Sequence, residues 1–167
     1  SAPDYEAQQS YVVVVTASDG SNTTTQEITV NLTNVNDIAP VFTSVPAFTV
    51  EEGNTLVGTI QATDVENDVV TFIPTVGSQD GGNDGLDFSI DAATGVLTFA
   101  ATPNFEDPAD SNTDNVYKIR VTADDGINTR NQDITVTVTD TNDEAPVLSV
   151  STPYSVAENT TTVGTVT

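Results

Sequence analysis

The stretch "TNVNDIAPVF", residues 33–42, returns later in the chain as "TDTNDEAPVL", residues 139–148. Sliding the sequence by 106 residues aligns residues 11–60 with 117–166, and 24 of these 50 aligned positions are identical. A β-sheet does not require polar, strand-breaking residues to recur in this way. The chain therefore contains an internal repeat, and the Asn-Asp pair lies at the same place in each copy.

The repeat predicts three units. We expect residues 1–36 to be the C-terminal strands of a first repeat, 37–141 to be a complete repeat, and 142–167 to be the N-terminal strands of a third. Each terminal piece alone would expose half a core, so we expect the native chain to continue at both ends or a polymer to cover these edges. Pro40 and Pro146 follow the Asn-Asp pairs and favour extended backbone before them, which predicts short, directional linkers.

Apolar residues alternate with polar ones throughout, a period of two that is typical of half-buried strands. Tyr117, Ile119, Val121 and Ala123 are predicted to lie on one face of a strand. Other strands are expected near 47–51, 55–62, 69–73, 86–90, 95–100 and 134–139. Seven short strands in about 106 residues predict an all-β fold of tandem Greek-key, immunoglobulin-like β-sandwiches, without the Cys and Trp signature of a true immunoglobulin domain.

Acidic residues dominate the charge. The 167 residues include three basic side chains, Lys118, Arg120 and Arg130, against 25 acidic ones, for a net charge of −22. Every phosphate contact would add repulsion, so we expect no nucleic-acid partner. A second interpretation stays open at this point, because such acidity also keeps an extracellular or halophilic protein soluble.

The residue types that are absent limit the chemistry. With no cysteine and no histidine, disulfides, thiolate metal sites and most zinc, copper and acid-base chemistry are excluded. Carboxylate, amide and carbonyl oxygens remain, and these are the ligands of hard cations, above all Ca²⁺. No run of about 18 apolar residues occurs, so we expect no direct membrane insertion.

Four motifs follow one another in a fixed order. They are F-x-I-D-x-x-T-G at 88–95, V-x-A-x-D-G at 121–126, D-x-N-D-x-A-P at 140–146 and an apolar residue followed closely by Glu-Asn, V-A-E-N, at 156–159. Together they resemble the cadherin repeat over essentially the whole chain. The resemblance implies that calcium ions lie in the joints between consecutive sandwiches, where carboxylates from both repeats hold them. The bound ions would make a row of domains rigid.

The resemblance also implies the ligands, with Val35 and Ile38 contributing backbone carbonyls. The first joint would draw on Asp4, Glu6, Val35, Asn36, Asp37, Ile38, Asp64, Glu66 and Asp125. The second joint would draw on Glu52, Asn104, Glu106, Asp140, Asn142 and Asp143, with partners that lie beyond Thr167.

This chain departs from the family's pattern at three ligand positions. Asn34 stands where Asp is usual, Glu66 replaces the second Asp of D-x-D, and Asn104 replaces the first Asp of D-x-E. A neutral amide binds Ca²⁺ more weakly than a carboxylate does. The glutamate equivalent to Glu52 that would serve the first joint precedes Ser1. We therefore expect one to three ions at the first joint and fewer at the second.

The same residues also have purely structural interpretations. An isolated pair such as Asn36 and Asp37 is typical of an Asx turn that ends a strand. Asp64 and Glu66 could be solvated loop carboxylates. Asp125 and Gly126 could form only a hairpin turn, and Asp124 is the better candidate for a surface role.

The sequence favours a structural function: a calcium-rigidified spacer or stalk in a larger repeat-containing surface adhesin or filament, extracellular and bacterial. The alternative is a cell-adhesion or polysaccharide-binding module that binds identical chains or surface polysaccharide through exposed sandwich faces. Sugar platforms need exposed aromatic residues. The aromatic residues of this chain fall mostly at predicted core positions: Phe42, Phe72, Phe88, Phe99 and Tyr117. The carboxylate pairs lie at joints rather than in a pocket, so we expect no enzyme.

Overall fold

The computed structural model describes residues 2–75, 87–147, 157–159 and 161. Within this part of the chain every regular element is a strand and there is no α-helix. The strands predicted for residues 142–167 fall mostly outside the described residues. The elements are β1 (Ser10–Ser18), β2 (Thr23–Asn31), β3 (Val41–Phe42), β4 (Ala47–Glu51), β5 (Leu56–Thr59), β6 (Ala62–Thr63), β7 (Thr71–Thr75), β8 (Phe88–Ile90), β9 (Val96–Phe99), β10 (Val116–Asp124) and β11 (Thr129–Thr139).

Strands β3 to β11 form a sandwich. One sheet has the order β4-β11-β10-β7, and the facing sheet has the order β5-β9-β8. Strand β10 pairs antiparallel with both β11 and β7, whereas β4 joins the edge of β11 in parallel register. The all-β, immunoglobulin-like sandwich predicted from the sequence is confirmed.

The core lies between the two sheets and follows the predicted alternation. Tyr117, Ile119, Val121 and Ala123 of β10 are at most 2% exposed. On the neighbouring strand β11, Ile134 lies opposite Ile119 and Val136 lies opposite Tyr117, and both are buried, as is Val138. The ring of Tyr117 packs edge-on against the rings of Phe88 and Phe99, with centroids 5.8 and 5.1 Å apart. Because aromatic side chains bury the largest apolar areas, this cluster is a major contribution to stability.

The single strand predicted for residues 55–62 is wrong, since the structure divides it into β5 and β6. A β-bulge between Leu56 and Gly58 shifts the register with β9. The carbonyl of Gln61 then accepts the backbone N–H groups of Thr43 and Ser44, at 2.8 and 3.3 Å. The chain thereby crosses to β3, with which β6 pairs. Strand period alone does not reveal a bulge.

Strands β1 and β2 form a separate antiparallel hairpin, in which Tyr11 lies opposite Val30 and Val13 lies opposite Ile28. Its inner face matches that of β10 and β11 residue by residue, but Val13 is 48% and Ile28 is 44% exposed. The hairpin is thus a second copy of the β10–β11 unit with the same pairing register.

Among the described glycines of the sandwich, Gly95 is expected to be the least replaceable. Its backbone has φ +70, and a Cβ at this position would lie 2.1 Å from the carbonyl oxygen of Ile60. The two residues cannot move apart freely, because the N–H of Ile60 donates to the carbonyl of Gly95 at 2.9 Å. Gly95→Ala should therefore lower the free energy of unfolding by about 2 kcal/mol or more. Urea unfolding in chelator measures this.

Gly53→Ala is the matched control, because Gly53 also has positive φ (+78) but open space where the Cβ would lie. It carries only the conformational penalty, about 1 kcal/mol. Equal losses in the two variants would contradict the close packing at Gly95.

Candidate metal centre

The two D-x-E segments are Asx turns that present a glutamate. Oδ1 of Asp4 accepts the backbone N–H groups of Glu6 and Ala7, at 3.0 and 3.2 Å. Oδ1 of Asn104 accepts those of Glu106 and Asp107, at 2.9 and 3.3 Å. An amide oxygen serves this turn as well as a carboxylate does, so the change to asparagine at 104 preserves the local structure.

Glu66 fastens the linker to the sandwich. Its Oε1 accepts the N–H of Asp37 and its Oε2 accepts the N–H of Ile38, both at 3.1 Å. Asp64 orients Glu66, because its Oδ1 accepts the Glu66 N–H at 2.8 Å. Pro40 is fully buried just beyond these contacts. The linker is therefore held against the sandwich at several points.

Carboxylates from three parts of the chain converge at this linker. Oxygens of Glu6 from the first unit, Asp37 from the linker and Glu66 from the sandwich all lie within 4.8 Å of one another. Partial desolvation raises the pKa of Glu6, and the negative charges of Glu66 and Asp37 raise it further, although its own backbone N–H opposes this. Like charges this close repel, and a shared cation relieves the repulsion.

Two carboxylate oxygens next to this cluster are buried without a partner. Asp125 is 8% exposed, and its Oδ1 accepts the N–H groups of Ile127 and Asn128, but its Oδ2 has no hydrogen bond. Oδ2 of Asp64 is buried and unpartnered as well. A buried anionic oxygen without a donor is costly, and a cation would satisfy both atoms.

The pKa of Asp125 shows that its charge is favoured locally. Desolvation is the largest single influence and raises this pKa, but the lowering influences, led by the N–H donors of Asn128 and Ile127, together bring the pKa below its usual value. The amides of Asn36 and Asn128 add to the lowering from nearby, although neither has hydrogen-bonding geometry to Oδ2. These interactions favour the charged form of the Asp125 carboxylate, whose Oδ2 accepts no hydrogen bond.

A cleft of about 250 Å³ lies beside this cluster and is lined by residues of both the first unit and the sandwich. Carbonyls of Val35 and Ile38 accept no hydrogen bond from the described residues, which is compatible with their expected role. Asn36 is engaged instead, since its Oδ1 accepts the amide of Asn128 at 2.7 Å. The cleft is lined by Tyr5, Glu6, Gln9, Asn34, Val65, Glu66 and Asn67.

A second cluster lies at the other end of the sandwich. Oxygens of Glu52, Glu106 and Asp140 lie within 4.8 Å of one another, as do those of Glu106, Asp143 and Glu144. The backbone N–H of Glu106 lowers its pKa, but desolvation and the charges of Glu52, Asp140 and Asp143 prevail and raise it. Asn142 is exposed, without a described side-chain contact.

Glu52 is the most buried carboxylate of the second cluster. It is 6% exposed, its Oε2 accepts the Phe105 N–H at 2.8 Å, and its Oε1 accepts the Thr141 N–H at 2.7 Å. These N–H donors lower its pKa. Glu52 thereby ties the loop at 105 to the segment that follows β11.

We expect Glu52→Gln to lower the melting temperature in chelator by roughly 5 °C at pH 7, because one amide cannot replace two charge-assisted acceptors. Because folding lowers the pKa of Glu52, its ionised carboxylate stabilises the fold fully above the ordinary pKa of 4.5. This stabilisation is lost as the pH falls through the pKa of Glu52 in the folded protein. Melting curves from pH 7 to pH 3 should therefore converge with those of the parent.

The control is Glu51→Gln, because Glu51 is the exposed neighbour with no described side-chain hydrogen bond. It should shift the melting temperature little at any pH. A deficit of Glu52→Gln that persisted undiminished at pH 3 would contradict this role of the ionised carboxylate.

Sequence reasoning missed three residues of these sites. Asp68 clusters with Asp64 and Glu66, and Glu144 clusters with Glu106 and Asp143. Asn128 contacts the linker from the loop between β10 and β11. The repeat held a signal for Asn128, since Asn22 occupies the equivalent position in the first copy.

Other features that would indicate a different function are weak. Phe72, Phe88, Phe99 and Tyr117 lie in the core, so none of them forms an exposed platform for sugar rings. Among the described residues, no helix has the length and apolar character that crossing a membrane requires. The acidic clusters at the two ends of the sandwich remain the candidate functional sites.

Comparisons with known proteins agree with this architecture, although no protein-family model matches the chain. The chain is 35% identical over 155 residues to mouse cadherin EGF LAG seven-pass G-type receptor 2, a match that covers 86% of this chain and 5% of that protein. It is 31% identical over 166 residues to human protocadherin Fat 4, which covers 96% of this chain and 3% of that protein. The chain thus spans 5% or less of the length of these relatives.

Solved structures show the same fold. A protocadherin gammaB7 EC3-6 cis-dimer matches with a TM-score of 0.72 and 25% identity, over 89% of this chain and 36% of that chain. Mouse clustered PcdhgC3 EC1-3 matches with a TM-score of 0.65 and 28% identity, over 84% of this chain and 46% of that chain.

The fold and the acidic clusters together define a class of protein, the β-sandwich modules arranged in tandem. Within that class, the similar proteins are cadherins and protocadherins in both comparisons. The chain consists of cadherin-type repeats, the modules of extracellular cell-adhesion proteins.

Proposed function

We infer that this chain is a calcium-rigidified extracellular spacer in a larger repeat-containing adhesin or filament. The observation that carries the proposal is the convergence of Glu6, Asp37 and Glu66 within 4.8 Å, from two repeats and the linker between them. A cluster that needs two repeats to form is suited to fixing their relative position. Residues 37–141 are the complete repeat in this proposal.

The residues present fit Ca²⁺, which takes six to eight oxygen ligands and prefers carboxylates and carbonyls. The unpartnered Oδ2 atoms of Asp64 and Asp125 are the structural sign of this fit. At the first joint the ligands would be Asp4, Glu6, Asn36, Asp37, Asp64, Glu66 and Asp125, with the carbonyls of Val35 and Ile38. When bound, the ion supplies positive charge that cancels the repulsion among these groups.

Each residue has its own task in this mechanism. Asp4 holds the turn that presents Glu6, and Glu66 keeps the linker against the sandwich through two backbone N–H groups. Glu6 belongs to the first unit, whereas Glu66 belongs to the sandwich. Without a cation, repulsion among the three carboxylates would therefore favour separation of the two units. The joint is therefore a hinge whose stiffness depends on the cation.

The second joint would be built in the same way from Glu52, Asn104, Glu106, Asp140, Asn142 and Asp143. It has one orienting device in place already, the bond from the Thr141 N–H to Glu52. Its remaining ligands would come from the next repeat. A row of such joints would form a stiff stalk.

Adhesion by the whole protein is part of the proposal, with identical chains or neighbouring repeats as partners. The protocadherin gammaB7 structure is a cis-dimer. Nothing favours a polysaccharide partner, since the core holds the aromatic rings that would stack on sugars. The proposal of a bacterial source rests on composition alone, namely the absence of cysteine and the scarcity of lysine.

Isothermal titration of the 167-residue chain with CaCl₂ tests the proposal. We expect saturable binding at the first joint with a Kd near 10⁻⁴ M, the tight end of the range of extracellular calcium modules. MgCl₂ is the matched control and should bind more weakly, because Mg²⁺ retains its water and demands a regular octahedron. An absence of saturable binding up to millimolar CaCl₂ would contradict the proposal.

A further inference from the structure

Two hairpin loops of the chain have the same backbone turn. The loops at 19–22 and 125–128 occupy equivalent positions in the repeat. In each, Oδ1 of the aspartate accepts the backbone N–H groups two and three residues later, at 2.7 to 2.9 Å. A difference in their side chains therefore reflects their surroundings and not the turn.

The asparagine that ends each loop differs in its partner. Nδ2 of Asn22 donates to Oδ2 of Asp19 at 3.3 Å, within its own loop. Nδ2 of Asn128 donates instead to Oδ1 of Asn36 in the linker, at 2.7 Å, and more weakly to the Asn36 carbonyl at 3.4 Å. The equivalent oxygen, Oδ2 of Asp125, is left without a partner.

The direction of this contact is determined by its neighbours. The Nδ2 group of Asn36 donates to the backbone carbonyl of Asp125 at 3.4 Å, and a carbonyl can only accept. Oδ1 of Asn36 therefore faces Asn128, which must present its NH₂ group. The orientation of both amides follows from one backbone atom.

We propose that Asn128 is a positioning residue of the first joint: its amide latches the linker through Asn36 and thereby leaves Oδ2 of Asp125 free to bind a cation. In the loop at 19–22, which has no linker contact among the described residues, the same amide caps the aspartate instead. Docking of the linker and availability of the carboxylate are thus coupled. This inference rests on the proposed calcium site.

Asn128→Ala in the 167-residue chain tests the coupling. Titration with CaCl₂ should show about tenfold weaker binding at the first joint, the lower end of the loss that follows removal of an outer-shell partner. Asn36→Ala should lose at least as much affinity, because it removes the contact and a proposed ligand, and the double variant should lose no more than Asn36→Ala alone, because the two amides form one contact. Asn22→Ala, the matched control, should bind as the parent does.

A second measurement reports on the latch without calcium. In EGTA, the side-chain NH₂ protons of Asn128 should exchange with solvent more slowly than those of Asn22 in the parent. Asn36→Ala should abolish this protection and leave Asn22 unchanged. A purely structural role of Asn128 in its own turn predicts no response to the change at Asn36.

The outcomes separate the two proposals. If the parent chain does not bind calcium, the proposed function fails, and the positioning role fails with it. If the parent binds but Asn128→Ala binds equally well, only the positioning role is overturned. The positioning role is overturned as well if Asn22→Ala binds calcium as weakly as Asn128→Ala does. The same holds if the losses of calcium affinity in Asn36→Ala and Asn128→Ala add in the double variant.

Discussion

Calcium should raise the melting temperature of this chain by about 10 °C or more relative to EGTA. A site at a hundredfold excess of ligand over Kd adds about 2.7 kcal/mol to the free energy of unfolding, and the first joint is expected to hold one to three ions. The structural reason is that Glu6, Asp37 and Glu66 repel one another across a contact that also ties the linker to the sandwich.

The measurement is thermal unfolding followed by circular dichroism, with CaCl₂ or EGTA at constant ionic strength. MgCl₂ at the same concentration controls for general screening, which acts on any surface with a net charge of −22. Equal stabilisation by both cations would show that screening, and not a defined site, causes the shift. An unchanged melting temperature in calcium would contradict the account.

Asp125→Asn should weaken calcium binding by about 100-fold, because it replaces a charged and otherwise unpartnered oxygen with a neutral amide. The substitution keeps the size of the side chain and an Oδ1 that can accept the N–H groups of Ile127 and Asn128. In EGTA the variant should melt within about 2 °C of the parent, since the turn is preserved. A large effect in calcium with a small one in EGTA identifies a ligand rather than a structural residue.

Asp19→Asn is the control for this substitution. Asp19 forms the same turn in the first hairpin, but its Oδ2 accepts the amide of Asn22 and is not left free. Its pKa is lowered by the N–H groups of Asn22 and Ser21. Equal losses of affinity at positions 19 and 125 would mean that total charge, and not position in the joint, determines binding.

Strand faces could be predicted from the sequence because burial acts directly on residue type. The alternation from Tyr117 to Ala123 corresponds to a strand whose inner residues are at most 2% exposed. The single strand predicted at 55–62 was wrong, because burial of individual residues does not show where a strand is interrupted. Its division depends on the bulge at Gly58 and on hydrogen bonds to Gln61 from Thr43 and Ser44, which local composition does not reveal.

The candidate site could be predicted in outline from recurring motifs, but not in its connections. Glu6, Asp37 and Glu66 were expected together, and the structure brings their oxygens within 4.8 Å. Two features depend on side-chain orientation. One is the acceptance of turn N–H groups by Asp4 and Asn104, and the other is the contact of Asn128 with Asn36, 92 residues away in the sequence. A residue pattern carries no direct information about which way an amide points.

The most direct test of the calcium-dependent hinge is a distance measurement across the first joint. The chain contains no cysteine, so Ser21→Cys and Ser89→Cys, at two exposed positions on either side of the joint, can carry a single pair of spin labels. Double electron–electron resonance should give a narrow distance distribution in CaCl₂ and a distinctly broader one in EGTA. Distributions of equal width in the two conditions would contradict the claim that calcium makes this joint rigid.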